Sequence, residues 1–148
     1  MAQLGAQTRD VAAPPSPHAD GDMLPAALRP YAPKGMAALA WRKLGFGLSE
    51  AMLECRQDSD YKLSLLRIGP GRALPHHGHR GEEYVMVLEG GFTDDRGSYV
   101  RGDVSCNDET TEHRPVADSD GACLCLVSRQ GAVRFTGLLG LILNPFLR

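Results

Sequence analysis

The segment Gly71-Arg-Ala-Leu-Pro-His-His-Gly-His-Arg-Gly-Glu-Glu-Tyr-Val-Met-Val-Leu-Glu-Gly90 constrains this chain more than any other. Side chains on an extended backbone alternate with period two, so His77 and His79 fall on one side and can reach a single ion. Gly78 and Gly81 permit a turn. Glu83 then opens the run Tyr84-Val-Met-Val-Leu88, which is too short for a typical helix and suits a buried strand. A carboxylate therefore joins two imidazoles. Such groups crowded together beside apolar neighbours at neutral pH need a positive partner, and a divalent metal serves best.

The rest of the chain reads as strands. Beyond Trp41, short apolar segments alternate with glycine-bearing or acidic turns about every eight to twelve residues, the pattern of an all-β sandwich or barrel. Candidate strands fall at 47–55, 62–68, 83–88, 98–100, 122–128 and 133–136. Turns are expected at Asp58-Ser-Asp60, Gly69-Pro-Gly71, Gly90-Gly91, Asp94-Asp-Arg-Gly97 and Asp118-Ser-Asp-Gly121. Residues 1–22, rich in Ala, Pro, Ser, Asp and Gly, read as a flexible tail before one domain at 23–148. Leu24-Pro-Ala-Ala-Leu-Arg-Pro-Tyr31 suits a helical turn with Pro25 near its start, cut short by Pro30 and Pro33. The closing Leu138-Leu-Gly-Leu-Ile-Leu-Asn-Pro-Phe-Leu147, interrupted by Gly140 and Pro145, is expected to pack on the sheet. Trp41, Tyr84, Phe92 and Phe135 read as core aromatics.

Composition removes several classes of function. With 148 residues, 43% of them hydrophobic, the chain can bury a core without disulfide staples. Its net charge of −2 and lack of a basic stripe argue against direct contact with nucleic acid. No uninterrupted apolar stretch reaches the roughly 18 residues of a membrane span, and the first ten residues lack a signal peptide's apolar segment, so a cytoplasmic location is expected. Cys55, Cys106, Cys123 and Cys125 read as reduced thiols. Cys123 and Cys125 share one face of an apolar strand, as small buried hydrophobes or, alternatively, a redox-sensing pair.

Gly71, His77-Gly-His79, Glu83 and Gly90 reproduce the spacing of the first cupin motif. This resemblance implies a small jelly-roll β-barrel with a short N-terminal helical or irregular extension, a metal in its mouth, and a further histidine from a later hairpin. The only downstream histidine is His113, in a loop expected to fold back over the site. Here the second motif departs from the usual pattern, with Asp108 and Glu109 ahead of His113 and Ala117 where an asparagine often falls. Three imidazoles and a carboxylate suit zinc, with iron, manganese and nickel as alternatives. His76 should point away from His77 on an extended strand, and His18 lies in the tail.

A narrower resemblance, over residues 24–148, is to the cupin-like half of the ChrR family of zinc-containing anti-sigma factors. It is carried by Leu24-Pro25, Trp41-Arg42, Leu65-Leu-Arg-Ile-Gly-Pro-Gly71, Pro75, Val87-Leu-Glu-Gly90, Tyr99, Gly102-Asp103, His113, Pro115 and Asn144-Pro-Phe-Leu147. The resemblance implies zinc on His77, His79, Glu83 and His113, and a part in a sigma-factor pathway that responds to reactive oxygen species. The family's N-terminal His-x3-Cys-x2-Cys zinc motif has no counterpart in residues 1–22, which contain no cysteine. The chain thus reads as a stand-alone sensor-type cupin or a signalling half, able to form a homodimer through sheet edges as cupins commonly do.

The competing expectation is a small metal-dependent enzyme, such as a diketone-cleaving dioxygenase. It requires an open coordination position and a redox-capable ion such as iron. No further acid or base stands out in the sequence; Glu82, Glu109 and Glu112 are candidates to approach the site, and solvation explains them equally well. Arg67, Arg72, Arg80, Arg101 and Arg114 are too scattered to argue for an anionic sugar substrate.

Overall fold

The computed structural model describes residues 24–53 and 60–136. The tail expected at 1–22, Cys55, most of the Asp58-Ser-Asp60 turn and the run from Leu138 to Leu147 lie outside those residues. Two short 3-10 helices, Ala26–Tyr31 and Met36–Ala38, lead into β1 (Arg42–Gly45), β2 (Leu48–Met52), β3 (Tyr61–Ile68), β4 (His77–His79), β5 (Glu83–Glu89) and β6 (Gly91–Asp94). There follow β7 (Gly97–Val100), β8 (Val104–Asn107), β9 (Glu112–His113), β10 (Val116–Ala117), β11 (Cys123–Gln130) and β12 (Val133–Phe135).

Every pairing is antiparallel. The order β1-β2-β3-β11-β5-β8 makes a six-stranded sheet, and two three-stranded sheets, β10-β6-β7 and β12-β4-β9, complete the cup. Strand β11 lies between β3 and β5 and is covered on both sides, which is why its sequence is almost continuously apolar. Its Cys123, Cys125 and Val127 point inward and pack with Ile68, Val87, Phe92 and Ala117. Leu124 points the other way, into a second cluster with Leu65, Leu88, Leu24 and Leu28. The N-terminal segment thus shields the outer face of the sheet, where each fully buried leucine contributes about 1.5–3 kcal/mol.

Several elements differ from the sequence reading. The strand expected at 47–55 is the second arm of a hairpin whose first arm, β1, begins at Arg42. Between the arms Gly45, Phe46 and Gly47 all take positive φ (89°, 53° and 78°), a turn that the flanking glycines make accessible. Pro30 sits inside the first 3-10 helix, which ends at Tyr31; the fixed φ of proline is compatible with a helical turn. Tyr84 is 40% exposed, not core. Since Glu83 points inward, alternation sends Tyr84 outward, where its hydroxyl donates to Glu82 at 3.0 Å. Phe92 is buried and stacks on Tyr99 at 4.8 Å. Trp41 is half-buried beneath the Arg67 guanidinium. At Gly90 (φ 67°) a Cβ would stand 2.5 Å from the Ala122 carbonyl oxygen, so this turn between β5 and β6 requires glycine.

Candidate metal centre

Three strands deliver the cluster. β4 turns His77 and His79 inward, as its period-two geometry dictates, and leaves each about 5% exposed or less. The turn at Gly81, where a Cβ would approach the Gln130 carbonyl oxygen to 2.9 Å, returns the chain so that Glu83 enters the cup as the first residue of β5. His113 arrives on β9, directly paired with His77 across the ladder. It was expected in a loop; two residues of β pairing to β4 hold it instead.

The four buried side chains each offer a ligand atom, all within 4.8 Å of one another. Ring centroids lie 5.1 Å apart for His77 and His79, 4.7 Å for His77 and His113, and 5.3 Å for His79 and His113. The His79 and His113 Nε2 atoms are 3.3 Å apart. A tetrahedral ion with bonds of about 2.0–2.1 Å requires donor separations of about 3.3–3.4 Å.

Outer partners fix the rings. His77 Nδ1 donates to the Pro75 carbonyl at 2.8 Å, leaving its Nε2 lone pair for the cluster. His113 Nδ1 meets Asp94 Oδ2 at 2.8 Å with the same effect. Asn107 Nδ2 donates to Glu83 Oε2 at 3.0 Å. Such carboxylate, carbonyl and amide partners orient ligands at metal sites. Asp94 is raised by burial, but hydrogen bonds from His113 and the Arg96 backbone N–H outweigh this and hold its carboxyl below the usual range.

The charge balance of the cluster suits a cation. His79 approaches Glu83 Oε2 through Nδ1 at 3.5 Å and His113 through Nε2. With the His113 Nδ1–H committed to Asp94, a neutral His79 has one N–H for two lone-pair-bearing neighbours. Satisfying both contacts takes one added positive charge, a proton or a metal ion. Burial works against the proton: it pushes His77 down to about 4, and burial together with the nearby His113 and Arg96 brings His79 to about 4. These neutral imidazoles are the form that coordinates metal.

The cluster opens on a cavity of about 1040 Å³, whose lining includes His77, Glu83 and His113 with apolar Leu66, Val85 and Phe135. Sequence reasoning missed charged groups in that lining, among them Glu50. It is 4% exposed and accepts from Arg129 at 3.1 Å and Arg42 at 3.3 Å. It also missed Asp94, Arg96 and Asn107; only the acidic turn at Asp94 left any trace in the sequence. The three glutamates near the motifs stay outside: Glu112 pairs with Arg134 on the surface, Glu82 accepts from Tyr61 and Tyr84, and Glu109 is exposed. His76 points away from the cluster to Thr136. Cys123 and Cys125 are buried with sulfurs 3.5 Å apart, and Cys106 is exposed; all three are free thiols.

Residues 34–133 match the model of the ChrR cupin-like domain. The chain belongs to the ChrR cupin-like family. It is 36% identical over its whole length to the anti-sigma-E factor ChrR of Cereibacter sphaeroides, of which it spans 67%. The crystal structure of Rhodobacter sphaeroides SigE in complex with the anti-sigma ChrR matches with a TM-score of 0.69 at 36% identity, over 76% of this chain and 61% of that one. The chain thus spans less than two thirds of the ChrR chain in that complex. An RmlC-like cupin protein from Ralstonia eutropha (TM-score 0.60, 16% identity, 70% of this chain and 71% of that one) shares the fold. So does an acetylacetone dioxygenase from Acinetobacter johnsonii (TM-score 0.59, 11% identity, 72% and 76%). Both likenesses speak for the cupin fold alone. In this ChrR-like domain, His77, His79 and Glu83 of the first motif share one cluster with His113. Among the described residues, no helix is long and apolar enough to cross a membrane.

Proposed function

We propose that this chain is a metal-binding regulatory domain of the ChrR type, with His77, His79, Glu83 and His113 holding one zinc ion. The observation that carries the reading is the buried cluster of three imidazoles and one carboxylate. Zinc, when bound, supplies a fixed double positive charge that neutralises Glu83 and ties together the ends of β4, β5 and β9. Iron, manganese and nickel accept the same donors. Pro75, Asp94 and Asn107 keep the ligand atoms aimed inward, and the apolar cup limits water around them. Membership of a family that includes an anti-sigma factor supports a place in a sigma-factor pathway. To this we add a cytoplasmic location, a response to reactive oxygen species and a homodimer.

Treating the zinc-loaded protein with hydrogen peroxide tests the sensor role. Zinc should pass to a chromophoric chelator and new protease-sensitive bonds should appear. A protein that keeps both its zinc and its digestion pattern overturns the sensor reading and leaves the metal site standing. Light scattering should give a dimer mass; a monomer removes the homodimer. Affinity capture of the cognate sigma factor addresses the pathway, and no capture by the zinc-loaded protein removes direct binding.

A second reading, a small dioxygenase, is favoured by the cavity that His77, Glu83 and His113 border, which offers room for a small molecule beside the cluster. Oxygen consumption by iron-loaded protein with acetylacetone would support it. No uptake above buffer would leave the regulatory reading.

A further inference from the structure

Arg96, in the turn between β6 and β7, makes no hydrogen bond or ion pair to the four clustered side chains among the described contacts, yet it bonds the partners of two of them. Its backbone N–H donates to Asp94 Oδ1 at 2.9 Å. Its guanidinium lies 3.6 Å from Asp94 Oδ2, the oxygen that meets His113 Nδ1 at 2.8 Å. The same guanidinium donates to Asn107 Oδ1, to Ser105 Oγ at 2.9 Å and to the Cys106 carbonyl at 2.9 Å. Asn107 then donates to Glu83 Oε2 at 3.0 Å. One cation thus stands behind both the imidazole from β9 and the carboxylate from β5.

Each link has a chemical reason. An asparagine amide can present either its oxygen or its nitrogen to a neighbour, and the hydrogen-bond network decides which. Because Arg96 has donors only, it captures Oδ1 and turns the Nδ2 donors toward Glu83. Without it Oδ1 keeps only the longer contact from Ser105 Oγ, at 3.3 Å, and the amide is held less firmly against Glu83. Asp94, with a side chain 0% exposed, likewise needs a compensating cation to remain the charged acceptor of the His113 N–H. The planar fork of arginine spans these partners, whereas an ammonium is a single point charge.

We propose that Arg96 is a positioning residue for metal binding, aiming Glu83 through Asn107 and His113 through Asp94. The inference rests on the metal reading above. Zinc affinity is measured by chelator competition for the wild type, Arg96→Met, Arg96→Lys, Asn107→Ala and Arg96→Met/Asn107→Ala, alongside cobalt(II) absorption and the Tm of chelator-treated protein. Arg96→Met and Arg96→Lys should each weaken zinc about 10–100-fold and alter the cobalt(II) bands. The double variant should bind within about twofold of the weaker single one, because Arg96 reaches Glu83 only through Asn107 and the two substitutions overlap on that route. If Arg96→Met does not fold, Arg96→Lys, which keeps the charge and the aliphatic stem, carries the test. Unchanged zinc affinity with a lowered Tm would show a merely structural arginine and overturn the proposal, as would additive effects. A wild type that binds neither zinc nor cobalt(II) sinks the metal reading itself; a wild type that binds, with variants its equal, sinks only the role of Arg96.

Discussion

Replacing His113 with alanine separates a ligand from a structural histidine, because the two roles predict different dependence on metal. Without metal, the substitution strands Asp94, whose side chain is 0% exposed and which loses its 2.8 Å partner while keeping the Arg96 backbone N–H at 2.9 Å. Losing a hydrogen bond to a buried charged group costs about 1.5–3 kcal/mol, or roughly 3–12 °C in Tm for a chain of this size. With metal, a second loss appears. Zinc at about a thousand times its Kd stabilises the wild type by about 4 kcal/mol. Loss of a direct ligand should exceed the upper end of the roughly 10–100-fold effect of an outer partner. A hundredfold weaker Kd removes about 2.7 kcal/mol, a further drop of roughly 5–11 °C. Thermal denaturation followed by circular dichroism, once with chelator and once with excess zinc, reads both terms. Equal shifts in the two conditions would refute the reasoning and make His113 a partner of Asp94 alone.

His77→Ala and His79→Ala should each abolish stoichiometric metal and lower stability, because binding energy at such a site is folding energy; elemental analysis after gel filtration checks this, and full retention of metal in both overturns the assignment. Burial holds His77 and His79 at about 4, below their unfolded value of 6.5, so the unfolded chain takes up protons first as pH falls. Stability is therefore full above about pH 6.5 and declines toward pH 4 at up to about 1.4 kcal/mol per pH unit per imidazole; urea denaturation of chelator-treated protein across this window should show the decline, and a flat profile contradicts it. Glu50→Gln removes the charge paired with Arg129 and Arg42 and turns one acceptor into a donor, but leaves the cluster alone. Metal content should stay unchanged while stability falls by about 1–3 kcal/mol, and loss of metal would place Glu50 in the site.

The first motif was legible because its information is local: period-two alternation places His77 and His79 together, and a short glycine turn brings in Glu83. The long strands β3, β5 and β11 were readable from apolar runs. The short strands β8, β9 and β10 were not, because two to four residues carry too little pattern to outweigh their turns. Tyr84 was misplaced because an aromatic beside an inward glutamate must face outward, and type alone suggested core. Asp94, Arg96 and Asn107 were missed for a different reason. Their meeting depends on register, with Asn107 opposite Glu83 across β5 and β8, and no spacing along the chain encodes that pairing. Glu50 joins the cavity lining by the same route, through β2 and β3.

Metal content combined with X-ray absorption, on protein purified without added metal and then reloaded, addresses the central claim most directly. One ion per chain, surrounded by nitrogen and oxygen neighbours at about 2.0–2.1 Å, is the predicted result. No ion above background after loading with zinc, iron, manganese and nickel in turn would contradict it.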